Sequence, residues 1–224
     1  TAKSVSIPET INGVDIKGIG NGVFDGKDMR EVILASSATF IGDSAFANNP
    51  NLKTVIGIGV TTIGDKALYG AKRLKNIIFG ELTSIGAYSF YQAGLEEFEI
   101  NEKSFSLNIK KIQSIPEGAF MYSGISELNI ESVYSISNNA FTECNALVNV
   151  YINYLSALPA GAFKGLKALS EVTIKGLSIV PVGAFSTCEA LEHIHMPDAT
   201  FINSNAFENC NALTVIEYAS SDKD

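Results

Sequence analysis

The 224-residue chain has no tryptophan, two histidines, three cysteines and six prolines, and its only arginines are Arg30 and Arg73. A nucleic-acid binder needs a basic stripe to displace phosphate counterions. With so few guanidinium groups and a formal net charge of −8, nucleic acid is excluded as a partner. No apolar run approaches the ~18 residues of a membrane span, so this fragment is not expected to insert into a bilayer. Its opening TAKSVSIPET has no basic-then-apolar signal segment, and no signal or anchor segment is expected within this fragment. Cys144, Cys188 and Cys210 are odd in number and form no C-x-x-C pair, so neither a disulfide framework nor a metal knuckle is predicted. Catalytic signatures are also missing. GIGNG, Gly18 to Gly22, has phosphate-loop glycines but no lysine after them, and no G-x-S-x-G elbow exists. No catalytic residue, metal ligand or cofactor is predicted, and the chain is read as a non-enzyme.

Hydrophobic residues make up 46% of the chain and charged ones 18%, enough apolar surface to fill a core. Charge is unevenly placed. Up to Lys111, 12 basic residues balance 12 acidic ones, and beyond it 4 face 12.

The dominant signal is an internal repeat. Aligning on a small residue followed by Phe gives Val23-Phe24, Ala45-Phe46, Ala67-Leu68, Ser89-Phe90, Ala119-Phe120, Ala140-Phe141, Ala162-Phe163, Ala184-Phe185 and Ala206-Phe207, in steps of 22, 22, 22, 30, 21, 22, 22 and 22. Five residues before each Phe or Leu stands an aliphatic residue, from Ile19 and Ile41 to Val180 and Ile202. After it comes a fixed order such as Leu147-x-x-Val150-x-Ile152 or Leu191-x-x-Ile194-x-Met196. Alternation over about five residues marks a strand with one buried face, and the rest reads as turns or short helical turns. One coil of this length cannot bury its own apolar side, so coils stack in parallel and the aligned phenylalanines form a continuous aromatic spine.

Read in phase, LSEVTIKGLSIVPVGAFSTCEALEHIHMP resembles the bacterial leucine-rich repeats of the BspA-like type, and Val5 to Phe24 is similar to the half-coil that often begins their arrays. The resemblance covers roughly residues 5 to 218. It implies an α/β, strand-rich repeat solenoid: one domain, a right-handed leucine-rich-repeat horseshoe of about nine 22-residue coils with a parallel concave sheet. Residues 1–24 are the N-terminal cap and first coil start, and 219–224 a polar tail. It further implies an extracellular or cell-surface bacterial protein of adhesion type that meets a host or extracellular-matrix protein.

Alternation also places candidate site residues. The side chains flanking each buried strand residue point to the concave face. One column reads Glu31, Thr54, Asn76, Glu97, Glu127, Asn149, Glu171, His193, Val215, and the other Ile33, Ile56, Ile78, Glu99, Asn129, Tyr151, Thr173, His195, Glu217. The expected ligand surface is therefore Glu97, Glu99, Glu127, Asn129, Asn149, Tyr151, Glu171, Thr173, His193 and His195, acidic in its middle and apolar at the isoleucine end. A spacer without its own ligand is the alternative. A carbohydrate binder ranks lower, because Tyr151 is the only aromatic in these columns.

Cys144, Cys188 and Cys210 share one repeat slot with Ala71, Ala93 and Ser123, and are expected to be buried. The long fourth step, within Asn101 to Ile115, is read as an insertion at 101–111. Its Phe105, Leu107 and Ile109 should form a local strand on the coil edge, with Lys110 and Lys111 beside Glu96, Glu97 and Glu99. The last strand has no closing element after it, so self-association through the C-terminal coil is a further expectation.

Overall fold

The computed structural model describes residues 3–95 and 105–219. It is a parallel β-solenoid of about nine coils with no helix among the described residues. Lys3–Ser6, Met29–Ile33, Thr54–Gly57 and Asn76–Phe79 pair in that order as a four-stranded parallel sheet. Ser106–Ile115, Glu127–Ile136, Asn149–Ile152, Glu171–Ile174, His193–Met196 and Val215–Tyr218 continue as a second, with Leu155–Ala157 also paired to Glu127–Ile136. Behind the first sheet, the two-residue strands Gly18–Ile19, Phe40–Ile41, Thr62–Ile63 and Ser84–Ile85 make a parallel ladder of their own. Each coil of this block is thus tied to the next on two sides.

The expected helical turns are instead corners. In all nine coils the residue two before the spine position and the residue two after it have positive φ, from Gly22 and Gly26 through Tyr88 and Gln92 to Asn205 and Asn209. A left-handed residue every few positions forbids a helix. Seven of these eighteen sites are glycine and four asparagine, the residues that tolerate the conformation. That signal stands in the sequence at fixed offsets from the Phe. The others carry side chains into it, including the β-branched Thr187 at φ 60.

Between the corners the rings face inward and stack. Phe90, Phe120, Phe141, Phe163, Phe185 and Phe207 follow one another at centroid distances of 5.2–5.6 Å. Phe24 and Phe46 form a separate pair at 5.4 Å. The spine is therefore not continuous: Leu68, buried and without a ring, divides it.

The cysteine slot proves polar in function. Cys144, Cys188 and Cys210 each donate to the carbonyl of the previous coil's phenylalanine, Phe120, Phe163 and Phe185, at 2.7, 3.0 and 3.0 Å. All three thiols are free. Burial pushes Cys144 and Cys188 up to about 12, which keeps them protonated donors. Asn49 fills the same slot in the second coil. Its amide donates to Phe24, Phe46 and Ala47 carbonyls and accepts from the Met29 N–H.

The fourth coil departs from the expected register. The residues paired with Glu127, Leu128 and Asn129 are Ser106, Leu107 and Asn108, so Phe105-Leu107-Ile109 belongs to the coil's own face strand and is not an edge addition. The surplus of eight residues lies before this strand: Phe46 to Val55 is a step of 9 and Phe90 to Leu107 one of 17, whereas the step onward to the next spine residue is 13 in both. The insertion at 101–111 is corrected accordingly, because Ser106 to Lys111 pair within the sheet. Glu96, Glu97 and Glu99 lie outside the described residues.

Candidate functional site

Strand pairing converts the alternation of each strand into columns, since residues opposite one another point the same way. On the second sheet one column runs Ser106, Glu127, Asn149, Glu171, His193, Val215, and its neighbour runs Asn108, Asn129, Tyr151, Thr173, His195, Glu217. Every expected site residue from Glu127 to His195 is therefore on one face and in line. In the fourth coil Ser106 and Asn108 hold these column positions; Glu97 and Glu99 lie outside the described residues. At these positions the described columns carry a hydroxyl and an amide. The reason is competition between two alternating stretches, LEEFEI and FSLNI: the second pairs along Ser106–Ile115 and buries Phe105 against Phe90 at 5.8 Å.

On the first sheet Ile33, Ile56 and Ile78 stack in register as a solvent-facing apolar column, with Ile33 39% and Ile78 51% exposed. Beside it a polar hollow of about 620 Å³ is lined by Arg30, Lys53, Lys75, Glu31, Thr54 and Asn76.

The histidines separate from one another. His195 Nδ1 lies 2.6 Å from Glu217 Oε2, while His193 sits between Glu171 and Val215. A shallow hollow of about 300 Å³ joins them. Among the described residues no three His, Cys, Asp or Glu side chains converge as a metal ion requires.

A depression on this face lies where the two sheets meet. There the ladder is reduced to a single parallel bridge between Leu82 and Ile109. The face opens into a groove of about 870 Å³ with Phe79, Ile109 and Ile130 among its lining residues. Its polar lining is Asn108, Asn129 and Tyr151, then Lys110, Glu131 and Asn153 two residues further along the chain, and Glu81. Asn129 Nδ2 donates to Asn108 Oδ1 at 3.1 Å and to Glu127 Oε1 at 2.8 Å. Lys110 Nζ donates to both Glu81 oxygens at 2.8 and 3.0 Å, and this contact holds its ammonium above the usual lysine range. Glu81 is thus the described partner of Lys110. The groove and Asn153 were missed by sequence reasoning, because their signal depends on the fourth-coil register.

Elsewhere Tyr69 and Tyr91 stack at 4.6 Å on the return side, and Tyr91 meets Tyr122 edge-on at 5.7 Å. The Tyr88 hydroxyl donates to Glu117, which raises its pKa. No described helix is long and apolar enough to cross a membrane.

The sequence pattern of the BspA type leucine rich repeat region (6 copies) matches residues 1–112 and 113–223. No curated protein sequence matches the chain. Among solved structures, a leucine rich cell surface protein of Faecalibacterium prausnitzii A2-165 superposes with a TM-score of 0.53 at 20% identity, over 96% of this chain and 87% of that one. The T. pallidum leucine rich repeat protein gives 0.50 at 20% identity, over 95% and 78%. Both show the same fold.

Proposed function

The chain belongs to the BspA type leucine-rich repeat family, and from that premise we propose that it is a non-enzymatic module that binds a protein partner along its strand face, outside the cell or on its surface. The observation that carries this is the pair of in-register columns from Ser106 and Asn108 to Val215 and Glu217. Six strands present an unbroken, chemically graded surface to solvent: amides first, then an aromatic ring, then imidazole and carboxylate. A graded, extended surface suits recognition of an extended partner. Surface location draws support from the F. prausnitzii relative, which is a cell surface protein.

The reading is tested with immobilised fibronectin, laminin, collagen and fibrinogen. Binding to at least one is expected, weakened about tenfold or more by Glu127→Ala, Tyr151→Ala or His195→Ala. A panel in which none of these substitutions alters any affinity overturns it.

A further inference from the structure

The corrected fourth-coil register changes the chemistry of the groove at the sheet junction. With Asn108 in the column, three side-chain amides, Asn108, Asn129 and Asn153, border the same depression as the Tyr151 ring. That ring is 42% exposed, and no described aromatic stacks on it. Asn108 Oδ1 accepts from Asn129, its Nδ2 has no partner among the described residues, and the Asn153 amide has none at all among them. Among the described lining residues the one cation, Lys110, is held by Glu81.

We propose that this groove is a binding site for a neutral oligosaccharide of about two or three sugar units, the size that a depression of 870 Å³ admits. A pyranose has a face of C–H groups and a rim of hydroxyls that each donate and accept. An open tyrosine ring suits the first, and planar amides, with a donor and an acceptor in one plane, suit the second. Phe79 adds a partly exposed apolar side chain to the lining, whereas the side chains of Ile109 and Ile130 belong to the core.

Charge excludes the anionic alternative. The Lys110 charge is already neutralised, and Glu131 at the rim repels a sulfated or carboxylated sugar. The site does not depend on the protein-binding reading, and either stands if the other fails.

The test titrates the whole chain with maltotriose, cellotriose and triacetylchitotriose, read by calorimetry and by protein-observed NMR. At least one of the three binds with Kd at or below about 1 mM. Tyr151→Ala and Asn108→Ala each weaken it about tenfold or more, and Asn108→Asp, which keeps the shape and adds a charge, weakens it too. His195→Ala, two strands away, leaves it unchanged, as does added salt. Both altered side chains are exposed, so unchanged melting temperatures separate lost binding from lost fold. Failure of all three sugars to bind at about 10 mM, or parent-like affinity in both Tyr151→Ala and Asn108→Ala, overturns the proposal.

Discussion

The coils before Ile85 and those after Ser106 follow one pattern but are held by different chemistry. In the first block the corner ahead of each spine residue is Gly followed by Asn or Asp. The Gly42 and Gly64 N–H groups donate to Ile19 and Ile41, and the next N–H groups, of Asp43, Asp65 and Ala87, donate to Asn21, Asp43 and Asp65 side chains at 2.8–2.9 Å. Glycine is required there: a Cβ on Gly64 would lie 2.6 Å from the Asp43 amide nitrogen. Thr39, Thr61 and Thr83 add a column of hydroxyls, each donating to the coil before. In the second block that position holds Pro116, Pro159 and Pro181, which have no N–H to give, while Ser137 and Asn203 keep the bond, donating to Ile115 and Val180. What that block has instead is five of the six stacked rings and the thiol donors. The same spacing is thus compatible with a polar outer seam or an aromatic inner one, and the junction between them is where the sheet parts.

Four measurements would break or sharpen this contrast. Phe163→Ala, in the middle of the long stack, should cost about 3–5 kcal/mol in denaturant unfolding; a midpoint close to the parent's would remove the stack as the second block's mainstay. Asn49→Ala takes away three donated bonds and strands the buried Met29 N–H, for about 2–3 kcal/mol. Cys188→Ala at the same slot should cost only about 1 kcal/mol, because one weak S–H bond is lost and other coils already hold alanine there. Equal losses would mean that the slot's chemistry is irrelevant. Thr187→Asn, placing the residue used at Asn48 and Asn209 on a left-handed corner, should raise stability by about 1 kcal/mol. An unchanged or lowered melting temperature would show that the corner is not strained.

The smallest effect concerns pH. Glu9 accepts from the Ser36 and Ser37 N–H groups at 2.6 and 3.2 Å, and these bonds hold its carboxyl down at about 2. A depressed folded pKa means that the contribution is complete above the unfolded value near 4.5 and fades as pH falls towards 2. Glu9→Gln should flatten the acid limb of the first block's stability between those values and leave neutral pH nearly unchanged. An acid limb identical to the parent's would refute the capping role.

Much of this was legible in the sequence. Two-residue alternation placed Glu127 to His195 on one face, and the repeat phase put the cysteines away from the histidines. The fourth coil was misread because LEEFEI and FSLNI both alternate, and only pairing over the full Ser106–Ile115 strand, with burial of Phe105, decides between them. Leu68 was visible as a departure, yet sequence alone does not show that one missing ring splits a stack in two. Asn49 was passed over because its slot was read as small and apolar, although an asparagine supplies more hydrogen bonds there than any thiol.

The paired left-handed corners also limit how such a chain can evolve. Each sits two residues from the ring, so a gain or loss of one residue between them would force the wrong side chain onto a corner and turn the ring out of its row. Between ring and face strand no such lock exists, and there the chain has absorbed eight extra residues. Length polymorphism in this lineage should therefore come as whole-coil duplications or deletions, or as inserts just ahead of a face strand, and recombination between copies should leave its crossover points in the same interval.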